Sequence, residues 1–231
     1  METYHKIQSI FKRDMTGPKK GRMIHGAWTT LELEYLKDNE WEFTEKVDGT
    51  NIRVNYVGNE TSRPACVFFG GRSDNAMIPK PLLEYLQETF TVDSFKENDL
   101  VEITLFGEGY GPNIQGGGKY RKDHSFVLFD VKIGPWWLKR DDVNDIANKL
   151  GIESVPVLGT GTLQDAIDIV STGITFNKGG GIVRWGAAGI NGLKSQWGDF
   201  EAEGIVARPT VPLFNRKGDR IIVKVKAVDF R

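Results

Sequence analysis

The chain has 231 residues, a net charge of −1, 39% hydrophobic residues and 26% charged residues. These values suit an ordinary globular protein of one domain or two small ones, and they lack the positive excess of a general nucleic-acid-binding protein. No apolar run approaches the ~18 residues of a membrane span, and the N-terminus METYHKIQSIFKRD has no secretory signal, so we expect no membrane partner.

The numbers and positions of cysteine and histidine argue against disulfide bonds and structural zinc. Cys66 is the only cysteine, so an internal disulfide is excluded, and we expect a reducing, cytoplasmic compartment. The three histidines, His5, His25 and His124, have no metal-ligand spacing with Cys66, which argues against a structural zinc site.

Along the chain, the first predicted helix covers residues 29–38 and begins at a threonine. Next, apolar-rich segments lie on either side of Asp48-Gly49, a strong signal for two strands joined by a tight hairpin turn. The second of these strands is 51–57. The other predicted strands are 65–70, 100–106, 125–133, 181–185, 203–208 and 220–228, and the other helices are 79–90, 141–151 and 162–173. Strands dominate and do not alternate regularly with helices, so the pattern favours an α+β fold with antiparallel sheets.

Lysines stand out on two of these strands. Lys46 lies two residues before the predicted turn, and Lys224 and Lys226 lie in IIVKVKAV. Because side chains alternate along a strand, Lys224 and Lys226 share one face and Val223 and Val225 the other. Two lysines flanked by apolar residues indicate an anion held in a partly covered cleft. The alternative is an edge strand that uses lysine against aggregation.

Two basic clusters are candidates for nucleic-acid contacts. One contains Lys19, Lys20 and Arg22, and the other contains Lys119, Arg121 and Lys122 directly after the glycines at 116–118. A solvated loop is the simpler interpretation of either cluster alone.

The polar residues fall into an ordered series of segments: EKVDGTN, GGRSDN, LFGEGYG, SFVLFDVKIG, EAEGIVARP and IIVKVKAV. This series, from residue 45 to residue 226, resembles the motifs of the covalent nucleotidyltransferases, which are the ATP-dependent RNA ligases, DNA ligases and mRNA capping enzymes. The resemblance implies an ATP-grasp-like nucleotidyltransferase fold, in which antiparallel sheets are flanked by helices and an ATP cleft lies between them.

Asn51 indicates which of these three classes of enzyme the sequence resembles most. It stands five residues after Lys46, where DNA ligases and capping enzymes usually have arginine, and KxDGxN is similar to RNA ligases of the phage and Deinococcus type. DNA ligases and capping enzymes also carry an oligonucleotide-binding barrel after the Lys-x-Lys strand, whereas five residues follow Lys226 here. We therefore expect residues 1–231 to form a single adenylyltransferase domain without that barrel, acting as a monomer.

The resemblance implies a reaction and its cofactors. Lys46 would attack the α-phosphorus of ATP, AMP would pass to an RNA 5′-phosphate, and an RNA 3′-hydroxyl would then displace AMP. A lysine attacks as the neutral amine, although its ordinary pKa is about 10.4. Positive charge from Lys224, Lys226 and bound magnesium, or manganese, would favour the neutral form.

The resemblance also implies roles for the other motif residues. Asp48 would make a hydrogen bond at the turn or contact the metal through water, and Asn51 would orient metal-bound water or the RNA end. The remaining assignments are Glu45 to adenine recognition, Arg72 to sugar, phosphates and the RNA end, Glu108 to a ribose hydroxyl, Phe126 to stacking on adenine, and Glu203 to magnesium. Core packing is the alternative for Phe126.

Three other functions stay open at this point. The chain could be a DNA ligase or a capping enzyme, a nucleotide- or RNA-binding module that has lost activity, or a plain structural domain. The intact Lys46, Glu203, Lys224 and Lys226 argue against lost activity.

Overall fold

A computed structural model describes residues 2–18, 20–58, 64–176, 182–186 and 192–231. The helices in this part of the chain are α1 (Leu31–Tyr35), α2 (Lys80–Thr89), α3 (Val92–Lys96), α4 (Arg140–Lys149) and α5 (Leu163–Thr172). The strands are β1 (Gln8–Ser9), β2 (Phe11–Arg13), β3 (Met23–Trp28), β4 (Trp41–Lys46), β5 (Thr50–Val57), β6 (Cys66–Gly70), β7 (Glu102–Tyr110), β8 (Ser125–Ile133), β9 (Trp136–Trp137), β10 (Glu153–Ser154), β11 (Val157–Gly161), β12 (Ile174–Phe176), β13 (Ile182–Arg184), β14 (Gly204–Pro209) and β15 (Val223–Lys226).

The chain divides into two compact units. Unit 1 contains the N-terminal residues up to Tyr4 together with Val47–Val155, and unit 2 contains His5–Lys46 together with Pro156–Arg231. Each unit is built around its own sheet and its own apolar core. The α+β prediction is confirmed, because the two large sheets are covered by helices and no regular alternation of strand and helix occurs among the described elements.

In unit 1 the strand order is β10-β8-β7-β5-β6, and β9 pairs with β8. One face of this sheet packs on α2, α3 and α4 through Leu82, Phe95 and Val143, all fully buried. Strand β7 continues through Gly107 and Gly109, beyond the predicted end at residue 106. The glycines permit this, because a Cβ at Gly107 would lie 2.2 Å from the Phe126 ring, and one at Gly109 would lie 2.5 Å from the Leu82 side chain.

In unit 2 the strand order is β1-β15-β14-β4-β11, and α5 packs on one face of the sheet. The predicted helix at 162–173 is confirmed. Thr162 and Asp165 form a reciprocal capping box at its start, and Gly173 ends it with a left-handed φ of 68°. Strand β15 lies between β1 and β14, so the edge-strand interpretation of its lysines is wrong.

The predicted hairpin at Asp48-Gly49 is also wrong. Strand β4 pairs with β11 and β14, whereas β5 pairs with β6 and β7, so the strands on either side of the turn belong to different sheets. Gly49 has no positive φ, and a Cβ there would lie 2.3 Å from the carbonyl oxygen of Gly109. Glycine at this position therefore permits a close backbone approach instead of a hairpin turn.

Smaller differences concern element lengths and directions. The expectation of antiparallel sheets fails at two places, because the two-residue edge strands β1 and β10 pair in parallel with β15 and β8. The strand predicted for 220–228 is restricted to β15 and runs into a 3₁₀ turn at Ala227–Phe230. Helix α3 was not predicted, because five residues are too few to display a helical period. Residue 181 of the predicted strand 181–185 lies outside the described residues.

Candidate active site

Lys46 ends β4 on the sheet face of unit 2 that turns away from α5. In the registers of the antiparallel pairs, Gly204 of β14 lies opposite both Lys46 and Lys226. Two residues further along, Val206 lies opposite Lys224 in the same way. Because residues opposite one another share a face, Lys46, Lys224 and Lys226 project from the same side of this sheet. The predicted alternation of Lys224 and Lys226 with the buried Val223 and Val225 is confirmed.

Glu203 joins two of these lysines. Its Oε2 accepts a hydrogen bond from Lys46 Nζ at 2.7 Å, and its Oε1 pairs with Lys226 Nζ at 2.7 Å. The Glu203 side chain is 13% exposed, so this is a partly buried cluster in which one carboxylate bridges two ammonium groups. Charge-assisted bonds of this length hold all three side chains in place.

Gly204 makes the convergence sterically feasible. It lies between the two lysines on the middle strand and contributes no side chain to separate them. Its φ of 151° disfavours other residues, and a Cβ would lie 2.0 Å from the carbonyl oxygen of Val225. Gly204 was not predicted as a site residue, although it directly follows Glu203 in EAEGIV.

Lys224 is a half-buried cation beside this cluster. Burial and the neighbouring charges of Lys46 and Lys226 hold its pKa below the usual value, and Lys6 acts in the same direction. The charge of Glu203 opposes them. The net result is a concentration of positive charge that a polyanion would relieve.

Glu45 points to the opposite face of β4 and is 1% exposed. Its carboxylate accepts hydrogen bonds from Ser195 Oγ at 2.6 Å and from the Gln196 backbone N–H at 2.7 Å. Burial raises its pKa, and these two hydrogen bonds act against that shift. Sequence reasoning missed Ser195 and Gln196, because nothing in the pattern around them marks a partner 150 residues away.

Asp48, in unit 1, is held by two contacts. Its Oδ2 accepts a hydrogen bond from the Gly116 N–H at 3.0 Å, and its own N–H donates to Tyr120 Oη at 3.1 Å. One carboxylate oxygen is therefore committed to the glycine segment, and the predicted hydrogen bond of Asp48 is made to that segment instead of within a hairpin.

Asn51 and Glu108 lie opposite one another on β5 and β7, on the sheet face of unit 1 away from the helices. Asn51 Oδ1 is buried and has no hydrogen-bond donor, which is rare enough to mark a place where a ligand or water would supply one. The β8 residue that shares this face, opposite Glu108, is the fully buried Val127.

Phe126 lies on the other face of the same sheet. It is fully buried in the core beneath the helices, and its ring meets Phe90 edge-on with centroids 5.3 Å apart. The structure thus places Phe126 as core packing and does not bring it to the face that carries Asn51 and Glu108.

Arg72 lies on an exposed loop after β6. This loop is fixed by hydrogen bonds from Arg53, a fully buried residue that was not predicted from the sequence. Arg53 donates to the Gly71 carbonyl at 2.6 Å and to Asp74 Oδ1 at 2.8 Å, on either side of Arg72. It also donates to the Glu2 carbonyl at 3.0 Å. The buried guanidinium therefore determines where the Arg72 backbone lies.

The structure thus gathers Lys46, Glu203, Lys224 and Lys226 in unit 2, with Glu45 beneath them. Unit 1 brings Asn51 and Glu108 together and supplies Asp48 and Arg72 on separate segments. Of the two basic clusters, Lys119 and Lys122 are exposed in unit 1, and Lys20 and Arg22 are exposed in unit 2. Lys19 lies outside the described residues.

Among the described residues, no group of three or more His, Cys, Asp or Glu side chains is arranged to hold a metal ion. Glu203, the predicted magnesium ligand, has both oxygens bound to lysines. No helix in the described part of the chain is long and apolar enough to cross a membrane.

Comparison with known families gives a match over most of the chain. The family model described as "RNA ligase" matches residues 39–226. This range contains Lys46, Lys224, Lys226, Glu203 and all of residues 47–155 of unit 1.

Solved structures of the RNA ligase of Naegleria gruberi are similar to this chain. A variant with ATP and Mn has a TM-score of 0.54 at 16% identity, covering 84% of this chain and 51% of that chain. The ligase with PPi has a TM-score of 0.53 at 18% identity, covering 84% and 51%. A variant with AMP and Mn has a TM-score of 0.52 at 16% identity, covering 85% and 52%. The chain thus spans about half the length of the Naegleria chains, and at these identities the likeness concerns the fold alone.

Proposed function

The chain belongs to the RNA ligase family, and from this membership we propose that it is an ATP-dependent RNA ligase. It would join RNA 3′-hydroxyl and 5′-phosphate ends through lysyl-AMP and AMP–RNA intermediates. The observation that carries the proposal is the bridge from Glu203 to Lys46 and Lys226, with Lys224 beside it on the same sheet face. An ordinary structural sheet has no need of three converging lysines.

In the first step, the Lys46 amine attacks the α-phosphorus of ATP. The Lys46 ammonium first gives up one proton to solvent. A nitrogen–phosphorus bond then forms, the bond from the α-phosphorus to the bridging oxygen breaks, and pyrophosphate leaves with that electron pair while the nitrogen gives up a second proton to solvent. The Lys46 amine is hydrogen-bonded to Glu203, so this carboxylate is placed to orient the amine until ATP arrives. Lys224 and Lys226 then stabilise the charge that develops on the phosphate oxygens.

Magnesium fits this site as a companion of ATP. Magnesium in phosphoryl-transfer sites is usually held by one or two carboxylates and the substrate phosphates, so a full protein cage is unnecessary. Glu203 is the residue that would hold it, after exchanging a lysine contact for the ion or for its water. The ion would neutralise phosphate charge when bound.

Unit 1 carries the residues assigned to the nucleotide sugar and the RNA end. Glu108 would accept a hydrogen bond from a ribose hydroxyl, and the buried Asn51 Oδ1 would gain the donor that it lacks, from metal-bound water or the RNA end. Arg72 would contact phosphates. Phe126 would have to leave the core to stack on adenine, so the proposal assigns it to packing. Glu45 would reach adenine only by releasing Ser195 or Gln196, so its proposed role is to fix the segment after Lys194.

The later steps use the same cations. AMP moves from Lys46 to the RNA 5′-phosphate, and a 3′-hydroxyl then attacks that activated phosphate and expels AMP. Each step is a phosphoryl transfer that depends on positioning and on stabilised charge. We propose that the two units act as one nucleotidyltransferase domain of the ATP-grasp-like type.

A DNA ligase or a capping enzyme is the second candidate, and Asn51 at the position of their usual arginine argues against it. Labelled GTP in place of ATP tests capping, and DNA ends in place of RNA ends test a DNA ligase. An inactive binding module is the third candidate, and it predicts nucleotide binding without a covalent product.

One experiment tests the proposal directly. The full chain is incubated with α-labelled ATP and magnesium, denatured, and assayed for label on the protein. We expect label that survives base and is released by acid, as a lysine phosphoramidate should be. Bound nucleotide without covalent label would support the inactive module, and label from GTP alone would support a capping enzyme.

A further inference from the structure

The segment 111–122, here called the glycine loop, has an unusual backbone. Asn113 and Gln115 have positive φ values of 62° and 47°, in a region that residues other than glycine rarely adopt. Such conformations persist only where surrounding contacts enforce them, and they cluster at binding and catalytic sites. Contacts around the glycine loop must therefore enforce its backbone conformation.

Asp48 holds the loop from two sides. Its carboxylate accepts the Gly116 N–H, and its backbone N–H donates to Tyr120 Oη, so residues before and after the 3₁₀ turn Gly117–Lys119 are both attached to it. A Cβ on Gly116 would lie 2.4 Å from Asp48 Oδ2. Only glycine at this position permits the contact, and Asp48 lies two residues after Lys46.

The held loop presents positive charge to solvent. Lys119 and Lys122 are exposed, whereas the half-buried Arg121 pairs with Asp123 at 2.9 Å and with Glu153 at 3.8 Å. The arginine thus anchors the end of the loop, and the two lysines remain at the surface. Exposed lysines suit an extended polyanion such as an RNA backbone better than a small nucleotide, which binds in a concave pocket.

We propose that the glycine loop binds backbone phosphates of the RNA substrate, and that Asp48 is the positioning residue that sets its conformation. This inference rests on the proposed function only in taking RNA as the ligand.

The first test measures RNA binding as a function of salt. The full chain is titrated with a 5′-phosphorylated single-stranded RNA between low and physiological salt. The Lys119→Ala, Lys122→Ala double variant should bind more weakly, with a slope of log affinity against log salt reduced by about 1.4, since each phosphate contact on a single strand contributes about 0.7. The matched control is Lys80→Ala, Lys96→Ala, which removes the same charge from the exposed surface of α2 and α3. Equal slopes in the two double variants would overturn the proposal.

The second test asks whether Asp48 acts through the loop. Asp48→Ala and Gly116→Ala each break the link, and Gly116→Ala does so while keeping the carboxylate. Both should weaken RNA binding in the wild-type chain and have no further effect when Lys119 and Lys122 are already alanine. Asp48→Asn keeps an acceptor for the Gly116 N–H and should restore most of the affinity. If Gly116→Ala does not fold, the comparison of Asp48→Ala with Asp48→Asn decides.

Additive losses in the combined variants would overturn the role of Asp48. Formation of the Lys46 adduct is measured on the same wild-type preparation. An adduct without loop-dependent RNA binding refutes this inference and leaves the proposed function standing. Loop-dependent RNA binding without an adduct refutes the proposed function and supports this inference.

Discussion

The Lys46 ammonium group donates a hydrogen bond to Glu203 Oε2 at 2.7 Å. Lys46 ends β4, and Glu203 directly precedes β14, the strand that pairs with β4. The same carboxylate also holds Lys226. The contact with Glu203 fixes the position of the Lys46 amine. Under the proposed function, Glu203 would release this amine for attack on ATP. Each of the first two predictions tests one side of this contact.

Lys46→Ala should abolish covalent labelling by ATP while leaving the fold intact, because Lys46 belongs to neither apolar core and Glu203 keeps its ion pair with Lys226. The measurement is acid-labile label on the protein, with circular dichroism as the check on folding. The exposed Lys217→Ala is the control and should label normally. Sealing of pre-adenylylated RNA should survive in part, since that step needs no lysine nucleophile. Persistent label on the Lys46 variant would refute the assignment.

Glu203→Ala and Lys226→Ala should each slow the first step by at least about a hundredfold, the scale observed when a preorganised charge-stabilising group is removed. Single-turnover labelling with ATP measures the rate. Val225→Ala removes the neighbour of Lys226 on the opposite, buried face and serves as the comparison. If it slowed labelling as much as Lys226→Ala in a folded protein, the assignment of the reactive face would be wrong.

Lys224→Met should stabilise the fold while abolishing the first step. Folding lowers the pKa of Lys224, so between the lowered value and the ordinary value of about 10.4 the unfolded chain binds more protons. Stability therefore rises with pH across that window, and the penalty for the charged lysine is largest below it. In urea unfolding, Lys224→Met should raise the free energy of unfolding more at pH 7 than at pH 10. If Lys224→Met raised the free energy of unfolding equally at pH 7 and pH 10, the lowered pKa of Lys224 would not be the cause. The same pH dependence in the control Lys217→Met would also contradict it.

Arg53→Met should lower the free energy of unfolding by about 1–3 kcal/mol, because the carbonyls of Gly71 and Glu2 lose their donor and the buried Gly71 carbonyl is left as an unsatisfied acceptor. Asp74→Asn removes only a charge at the 65% exposed end of the same network and should cost much less. Urea unfolding of both variants provides the comparison. Equal losses would mean that the Arg53–Asp74 ion pair, and not the pair of carbonyl contacts, holds the Arg72 loop.

Raising salt should inhibit sealing well before it inhibits formation of the Lys46 adduct. With a net charge of −1, RNA would be held by local cations such as Lys119 and Lys122, and each phosphate contact on a duplex contributes a salt slope of about −0.9. The adduct uses a small ligand bound by half-buried lysines, which salt screens less. Both activities are titrated on one preparation. Equal salt sensitivity would count against a surface patch and favour a partner protein or a different acceptor.

Much of the candidate site was predictable from local pattern. The alternation of Lys224 and Lys226 with buried valines follows from the two-residue period of a strand, which needs no knowledge of its neighbours. The capping box of α5 and the glycine that ends it are equally local. The order of the motifs predicted the RNA ligase family, and the family match over residues 39–226 confirms this prediction.

Contacts between residues distant in sequence could not be predicted from local pattern and were determined by the tertiary structure. The Asp48-Gly49 signal is local and predicted a hairpin, yet β4 pairs with β11 and β14 and not with β5. The alternation of β8 placed Phe126 and Leu128 on one face, but only the packing of the helices decided that this face is the core.

The same limit applies to the charges. Sequence alone identified Lys46, Glu203 and Lys226 as separate members of a motif series. A carboxylate can bridge two ammonium groups only where the backbone brings all three within hydrogen-bond distance. Here the registers of β14 with β4 and with β15 do so, and Gly204 places no side chain between the two lysines. Distances between residues far apart in the chain are set by the packing of whole sheets, and local sequence carries no measure of them.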